Sequence, residues 1–249
     1  MPDSPSLAIV TGTSSGIGAA VARLLLAHEW AVVGLSRRPA DFGDSRYQHV
    51  DVDLGDIAAL RAVAFSHILP AIARRQWMRI GLVNNAAATG TMAPLEDVDP
   101  EGFAGLLAVN LVAPVFLMAM VARAAPADVP LRIVNVSTGA AVQAFPGIGG
   151  YGSSKAALRL ASMTFAAEMT SPERPGGARH EVAVLSYQPG IVDTPMQVTA
   201  RASGRPWSRM FVDFHEQGRL VPPEAPAAEI AAFLESDRQE PFAERRHAG

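Results

Sequence analysis

Tyr151 and Lys155 are the residues whose types and spacing most directly indicate proton-transfer chemistry in this sequence. They are four positions apart in the segment YGSSK, so on a helix both side chains lie on one face. An unperturbed phenol has a pKa of about 10 and is a poor acid–base group near neutrality. A neighbouring ammonium favours the phenolate, so we expect Lys155 to lower the pKa of Tyr151. Such a phenol could protonate a carbonyl oxygen or deprotonate an alcohol.

A Tyr-x-x-x-Lys spacing also arises by chance in surface helices, so its meaning depends on a second motif near the N-terminus. The stretch VTGTSSGIGAA places three glycines between an apolar run and a helical pattern. Glycine permits positive φ and lets the backbone approach a ligand closely. A helix that begins there presents free N–H groups to a pyrophosphate. The loop therefore predicts dinucleotide binding, through Gly12, Ser14, Ser15, Gly16, Ile17 and Gly18, although a turn that only packs strand on helix remains an alternative.

Two arginines follow the second predicted strand, in the segment Ser36-Arg37-Arg38. An acidic residue at this point would accept hydrogen bonds from a free ribose 2′-hydroxyl, whereas a basic residue accommodates a 2′-phosphate. A guanidinium binds phosphate through paired, charge-assisted hydrogen bonds. The pair predicts NADP(H), with Arg37 as the main contact and Arg38 assisting. The alternative is an exposed arginine pair in a loop.

The elements that must position these residues alternate between short apolar runs and longer helical patterns. Runs of Val, Ile and Leu without polar alternation predict strands buried on both faces, as in a parallel sheet covered by helices. Predicted strands are Leu7–Thr11, Ala31–Ser36, His49–Asp53, Ile80–Asn84, Arg132–Ser137 and Val182–Tyr187; predicted helices are Gly16–His28, Ile57–Arg75, Gly102–Ala124 and Tyr151–Met169. We expect one α/β domain over residues 1–249. Residues 195–223 form a less regular substrate-side region, either a mobile lid or a surface excursion.

Composition narrows the function classes. The 249 residues carry a formal net charge of −3 and include no cysteine, which excludes disulfides and thiolate metal sites; we predict no metal. Lysine and arginine are scattered, so no nucleic-acid partner is expected. No uninterrupted apolar run reaches about 18 residues, so no membrane span is expected. These absences favour a cytoplasmic protein.

Beyond these arguments, the sequence resembles the short-chain dehydrogenase/reductase family, in its compact single-domain branch. The likeness rests on Thr-Gly-x-x-x-Gly-x-Gly at Thr11–Gly18, on Asn-Asn-Ala-Ala at Asn84–Ala87, and on the Tyr151–Lys155 motif. It implies a doubly wound parallel sheet, the Rossmann fold, and a homodimer or homotetramer formed through the long helices. It also implies an oxidoreductase that reduces a carbonyl with NADP(H), with Tyr151 as proton donor.

The resemblance assigns further residues to the catalytic group. The family's hydroxyl donor stands about thirteen residues before the tyrosine, which here is Thr138 in place of the usual serine, with Ser137 as an adjacent candidate. Threonine keeps the O–H donor but has a stiffer χ1. Asn110 would bend the long helix and hold a water that links Lys155 to solvent.

The same resemblance assigns cofactor contacts along the chain. Asp53 and its neighbour Leu54 would contact the adenine. The segments after the fourth and sixth predicted strands would line the nicotinamide and the phosphates. The family has a glycine after Asn-Asn-Ala, and this sequence has Ala87 there. The assigned contacts are Asp53, Leu54, Asn85, Ala86, Pro189, Gly190, Val192 (backbone N–H to the carboxamide) and Thr194 (near the phosphates), with Tyr151 and Lys155 also beside the cofactor.

The substrate is indicated only by local likeness. The stretches RIVNVSTG, LSYQPGIVDTPMQ and GRLVP are similar to the sepiapterin reductase and benzil reductase subgroup, which implies a small-molecule carbonyl substrate. The C-terminal PFAERRHAG has no clear counterpart of the acidic residue that anchors a pterin. A diketone or aryl ketone therefore suits the apolar set Phe145, Trp207, Met210 and Phe211. Two alternatives stay open: a non-catalytic NADP(H) sensor, and an NAD-dependent alcohol dehydrogenase of the same fold.

Overall fold

A single parallel sheet organises the chain. The computed structural model describes residues 5–179, 181–237 and 240–247; the ends of the predicted domain, at residues 1–4 and 248–249, lie outside the described residues. In this described part seven strands pair in the order β3-β2-β1-β4-β5-β6-β7, all parallel. Their bounds are β1 Leu7–Thr11, β2 Ala31–Ser36, β3 Tyr47–Asp51, β4 Ile80–Asn84, β5 Leu131–Val136, β6 Val182–Gln188 and β7 Phe242–Arg246. The order reverses between β1 and β4, which confirms the doubly wound fold.

Helices cover both faces of the sheet. They are α1 Gly16–Ala27, α2 Ile57–Val63, α3 Leu69–Ala73, α4 Pro100–Leu107, α5 Ala113–Ala124, α6 Gly149–Thr170, α7 Pro195–Ala202, α8 Arg209–Glu216 and α9 Glu224–Glu235. One apolar core lies between the sheet and helices α1 and α9, and includes Val21, Leu25 and Ile230. The other lies under α2, α5 and α6, and includes Leu60 and Leu117. Both faces of each central strand are thereby buried, as the continuous apolar runs predicted.

Two π-helical turns interrupt the predicted helices, and each comes just before a proline. Ala64–Ile68 joins α2 to α3 ahead of Pro70, and Ala108–Val112 joins α4 to α5 ahead of Pro114. Proline lacks an N–H and its ring collides with the carbonyl four residues earlier. The wider π turn accommodates this without ending the helix. The sequence predicted the position of the disturbance near Pro70 but not its form.

The structure corrects other predicted boundaries. The third strand spans Tyr47–Asp51 rather than His49–Asp53, because the carboxylate of Asp53 accepts the Gly55 N–H at 2.8 Å and turns the chain toward α2. The region predicted to be irregular contains the short helices α7 and α8. Helix α9 and strand β7 were not predicted; α9 packs Phe233 and Leu234 into the core.

Among the described helices, the continuous helical segment Pro100–Ala124 is long and apolar enough to cross a membrane by length and composition. Its inner face is buried against the sheet through Leu117, Met118 and Val121. Such packing is characteristic of a core helix, for which high hydropathy is also expected.

Candidate active site

The loop between β1 and α1 can exist only with glycines at its key positions. Gly12 and Gly16 have φ values of +77° and +56°, in the left-handed region that favours glycine. A Cβ added at Gly18 would lie 2.3 Å from the Gly12 carbonyl oxygen, and one added at Gly12 would lie 2.8 Å from Asn85 Nδ2. The three glycines thus let strand, loop and helix approach each other as closely as the fold requires.

The N-terminus of α1 faces the open edge of this loop. Ser15 occupies the N-cap position, but its side chain makes no capping hydrogen bond to the helix. Its hydroxyl instead accepts a hydrogen bond from Arg38 Nη2 at 3.1 Å, and Ser14 lies 3.5 Å from the same nitrogen. Because Ser15 leaves the first-turn N–H groups of Gly16, Ile17 and Gly18 uncapped, they are available to an anion. The loop therefore fits the pyrophosphate of a dinucleotide.

Thr11 and Asn85 fasten the loop to the end of β4. Thr11 Oγ1 accepts the N–H groups of Asn85 and Ala86 at 2.9 and 3.0 Å, while Asn85 Nδ2 donates to the Thr11 carbonyl at 2.9 Å. These bonds place the predicted Asn85-Ala86 segment beside Gly12. Thr11 belongs to the glycine-loop motif, but the sequence assigned it no role.

The two arginines lie at the edge where an adenosine ribose is expected. Arg37 Nη1 is 3.8 Å from Asp53 Oδ2, and both side chains are largely exposed, so this ion pair is weak. Arg38 extends in the other direction, toward Ser14 and Ser15. Next to Asp53, Leu54 is buried. The structure therefore brings these predicted contacts to one edge of the cleft.

A half-buried hydroxyl pair behind the glycine loop was not predicted. Thr13 Oγ1 and the Tyr47 hydroxyl are 2.9 Å apart, and Ser36 Oγ is 3.5 Å from the same threonine oxygen. A Cβ at Gly34 would lie 2.3 Å from the Tyr47 oxygen, so the strand needs glycine there. Burial raises the pKa of Tyr47. The available sequence signal was Thr13 inside the motif, but its partner Tyr47 lies 34 residues away.

Asn110 lies inside the π turn between α4 and α5 and is completely buried. Its Oδ1 accepts the Ala88 N–H at 2.8 Å and its Nδ2 donates to the Ala88 carbonyl at 2.8 Å and to Ser154 Oγ at 3.0 Å. The predicted helix distortion at Asn110 is present. Its amide links the segment after β4 to helix α6, which carries the tyrosine and lysine.

Helix α6 places Tyr151 and Lys155 in the predicted i, i+4 relation. Lys155 is buried and its Nζ donates to the Val136 carbonyl at 2.8 Å, at the end of β5. Burial lowers the pKa of Lys155 to about 8. Burial also raises the pKa of Tyr151 to about 12, so the expected lowering of the phenol pKa is wrong. The physical reason is that desolvation of the phenolate is the dominant influence, while the ammonium is bonded to a carbonyl.

Thr138 and Ser137 differ sharply in their surroundings. Ser137 is buried, and its Oγ has no hydrogen-bond partner among the described residues. Thr138 keeps part of its surface exposed, and its Oγ1 accepts the Ala140 N–H at 3.3 Å. A Cβ at Gly152 would lie only 2.8 Å from the Ala140 carbonyl oxygen, so the turn after Thr138 packs closely on α6. Accessibility therefore favours Thr138 as the hydroxyl that meets a substrate.

The segment after β6 closes the cleft from the other side. Val192 forms a parallel bridge with Val221 through the Ile191 carbonyl and the Asp193 N–H. Since successive peptide groups of an extended segment point to opposite sides, the Val192 N–H faces away from Val221. Thr194 lies beside the glycine loop: a Cβ at Gly16 would be 3.0 Å from Thr194 Cγ2. This supports the predicted approach of Thr194 to the phosphates.

The turn at Pro189 and Gly190 rests on a residue that the sequence did not single out. Gly190 has φ of +77°, and His247 packs beneath it, with its N–H donating to the Gln188 carbonyl at 2.8 Å. The imidazole of His247 is paired with Glu229 of α9 at 2.5 Å. The C-terminal segment therefore supports the turn that the resemblance places beside the nicotinamide.

An apolar pocket of about 250 Å³ lies next to the start of α6. Its lining residues are Phe145, Pro146, Trp207 and Met210. Three of the four apolar residues predicted for the substrate are thus brought together. The fourth, Phe211, is not among them, because its ring packs edge-on against Phe214 with centroids 6.4 Å apart.

Comparisons with known proteins agree with this arrangement. The model of the short chain dehydrogenase family matches residues 6–204. A benzil reductase ((S)-benzoin forming) of Bacillus cereus is 30% identical over 240 residues, covering 92% of this chain and 94% of the relative. A sepiapterin reductase of Xenopus tropicalis is 28% identical, covering 93% and 92%. Among solved structures, the KRED1-Pglu enzyme has a TM-score of 0.78 at 25% identity, covering 96% of this chain and all of that one.

Members of this family are oxidoreductases that use a nicotinamide cofactor. Cofactor binding is consistent with the glycine loop and the uncapped N-terminus of α1. Oxidoreductase chemistry is consistent with the Tyr151–Lys155 pair on α6. The matched region spans the glycine loop, helix α6 with Tyr151 and Lys155, and helix α7. The chain belongs to the short-chain dehydrogenase family and is an oxidoreductase of that family.

Proposed function

We propose that this protein is an NADP(H)-dependent carbonyl reductase, which converts a ketone or diketone to an alcohol. The observation that carries the proposal is the bond from Lys155 Nζ to the Val136 carbonyl at 2.8 Å. It fixes α6, which carries Tyr151, against the end of β5, and the turn that follows Thr138 packs on the same helix.

Residues at the carboxyl ends of the strands would hold the cofactor. Gly16, Ile17 and Gly18 offer N–H groups to the pyrophosphate, and Arg37 and Arg38 offer guanidinium groups to a 2′-phosphate. Asp53 and Leu54 would contact the adenine, and Pro189, Gly190, Val192 and Thr194 would contact the nicotinamide and phosphates; Thr194 lies beside Gly16 of the glycine loop. When bound, the cofactor supplies the hydride that adds to the carbonyl carbon.

The protein's own residues handle the oxygen. Thr138 Oγ1–H donates a hydrogen bond to the carbonyl oxygen, which favours the negative charge that develops there. Tyr151, with its pKa raised to about 12, is fully protonated at neutral pH and transfers its proton to that oxygen. Lys155, with its pKa lowered to about 8, is largely an ammonium at neutral pH and stabilises the phenolate that remains. Asn110 holds the helix and the segment after β4 in register.

The apolar pocket favours a substrate with an aryl group. Its lining by Phe145, Pro146, Trp207 and Met210 offers few polar partners, and its volume of about 250 Å³ is below the range that holds a drug-sized ligand. It therefore suits one flat ring of a ketone or diketone. The relatives named benzil reductase point to the same class of substrate.

We extend the proposal to assembly and location: a cytoplasmic homodimer or homotetramer. Val112 and Val115 near the start of α5, together with Leu160 and Met163 on α6, are exposed apolar residues on the two long helices. Paired helices from two copies would cover them in a twofold-symmetric interface.

NADPH absorbance with a panel of benzil, an aryl ketone, 2,3-butanedione and sepiapterin tests this function. We expect benzil to be turned over best, and Tyr151→Phe to abolish turnover while NADPH still binds. Tight NADPH binding with no turnover on any carbonyl would instead support the sensor alternative. Efficient alcohol oxidation with NAD and a preference for NADH would support the alcohol dehydrogenase.

A further inference from the structure

The segment between the bridge residues Val192 and Val221 forms a flap, here called the cover and defined as residues 194–220. Its two ends are held together by the hydrogen bonds Asp193 N–H to Val221 O and Val221 N–H to Ile191 O, both 2.9 Å. Between them, α7 and α8 pack chiefly on each other. Neither helix contains a buried residue. A segment with so few buried contacts belongs to the least stable part of a fold.

Trp207 joins the far end of the cover closely to the body. The indole of Trp207 lies directly on Gly147: a Cβ added to this glycine would be 2.7 Å from Trp207 Cδ2 and Cε3 and 2.8 Å from Cγ. Real Cβ atoms do not approach other atoms so closely, so only glycine allows the ring to sit there. Gly147 also has φ of +82°.

The same contact forms a wall of the apolar pocket. Phe145 and Pro146 immediately precede Gly147, whereas Trp207 and Met210 belong to the cover, and the four residues enclose the pocket from two sides. The body supplies one wall of the pocket and the cover supplies the other. Two aromatic rings among four lining residues favour a flat aromatic group, because ring–ring contacts add about 0.5–1.5 kcal/mol beyond area burial.

We propose that Trp207, seated on Gly147, fastens the cover over the substrate pocket and selects carbonyl compounds that carry a flat aromatic group. This inference rests on the proposed carbonyl reductase function and assigns its specificity to one contact. It makes Trp207 a specificity-determining residue and Gly147 a positioning residue.

Substrate discrimination by variants gives the first test. Trp207→Ala should lower the ratio of kcat/KM for benzil to that for 2,3-butanedione at least about tenfold, mainly through a higher KM for benzil. Trp207→Phe keeps an aromatic wall and should retain most of the ratio. Equal losses for both ketones in Trp207→Ala, or no recovery in Trp207→Phe, would overturn the proposal.

The seat itself is tested with a matched pair of glycine substitutions. Gly147→Ala and Gly177→Ala impose the same left-handed backbone penalty, since the φ values are +82° and +85°, but a Cβ at Gly177 meets nothing within 4 Å. Only Gly147→Ala should reduce the benzil preference. Adding Trp207→Ala to Gly147→Ala should cause little further loss, because both changes remove one contact. Additive losses would show that the two residues act separately.

Tryptophan emission separates this inference from the proposed function. The chain has three tryptophans, and Trp30 and Trp77 are buried in the core, so a ligand in the pocket should alter chiefly the emission of Trp207. With NADP⁺ present no reduction can occur, and titration with benzil should quench wild-type emission but not that of Trp207→Phe. Quenching without turnover of any ketone would refute only the reductase function. Normal turnover without this quenching would refute only the role of Trp207.

Discussion

Both polar atoms of the Asn110 amide are hydrogen-bonded to the main chain of Ala88, at 2.8 Å each. The side chain thus pairs with both backbone groups of Ala88, as a neighbouring strand would. Its Nδ2 also donates a hydrogen bond to Ser154 Oγ of α6. An amide that would be costly in an apolar helix is fully paired here. Through Asn110, the nucleotide side of the cleft and the catalytic helix are held by one residue.

Asn110→Leu should destabilise the protein and lower turnover. The substitution leaves the half-buried N–H and C=O of Ala88 without their side-chain partner, which is expected to reduce the free energy of unfolding by about 2 kcal/mol. Urea denaturation measures this change. Ser154→Ala removes only one of the Asn110 contacts and should cost less. A loss in Ser154→Ala as large as in Asn110→Leu would argue against the central role of the Ala88 contacts.

The hydroxyl donor can be identified by substitution. Thr138→Ala should lower kcat about 100-fold or more, the usual effect of removing a donor to a developing oxyanion. Thr138→Ser restores the hydroxyl and should recover most activity. Ser137→Ala should have a small effect, because the Ser137 side chain is buried and makes no hydrogen bond within the described part of the chain. The reverse order of effects would show that Ser137 is the donor.

The buried ammonium of Lys155 predicts a pH-dependent stability. Its pKa is lowered from 10.5 to about 8 in the folded chain. Between those values the unfolded chain holds a proton that the folded chain has lost, so the free energy of unfolding rises with pH. We expect wild type to gain stability relative to Lys155→Met as the pH rises from about 7 to about 9.5. Parallel urea denaturation curves of the two proteins across this range measure the difference, and a constant difference would contradict the prediction.

Cofactor preference should depend on the two arginines. Arg37→Ala and Arg38→Ala should each weaken NADPH binding while leaving NADH binding nearly unchanged, because only NADPH carries the 2′-phosphate. The combined variant should lose most of the preference. Fluorescence titration with NADPH and with NADH measures the two affinities and hence the preference. Arg46→Ala, whose guanidinium pairs with Asp44, serves as the control. A strong NADH preference in wild type that persists in Arg37→Ala would overturn the choice of NADP(H).

Assembly should fail when the exposed face of α6 becomes charged. Leu160 is 62% exposed in the single chain. In the proposed interface a glutamate at this position would be buried without a partner, so Leu160→Glu is expected to shift an oligomer toward monomers. Phe65→Glu changes a similarly exposed apolar residue, 54% exposed, on another surface and should leave the mass unchanged. Light scattering after size-exclusion chromatography reads both outcomes. An unchanged mass for Leu160→Glu would place the interface elsewhere.

Local patterns in the sequence determined the parts of this fold that depend on neighbouring residues. Continuous apolar runs gave β1, β2 and β4 with their observed bounds, because a strand buried on both faces leaves no polar alternation. The glycine spacing and the i, i+4 relation of Tyr151 and Lys155 likewise follow from local geometry. The late elements α9 and β7 were not predicted; β7, with the sequence FAERR, is an edge strand of half-buried and exposed residues, so no continuous apolar run marks it.

Only the tertiary structure decided which groups meet across long separations. The Thr13–Tyr47 bond, the pairing of Asn110 with Ala88 and the seat of Trp207 on Gly147 each join segments from different elements. The direction of the Tyr151 pKa was also decided there: the sequence showed an amine four residues away, but burial and the bond from Lys155 to Val136 depend on how α6 packs against β5. Spacing along a chain fixes which residues can share a face, whereas desolvation and long-range contact depend on the packed neighbours.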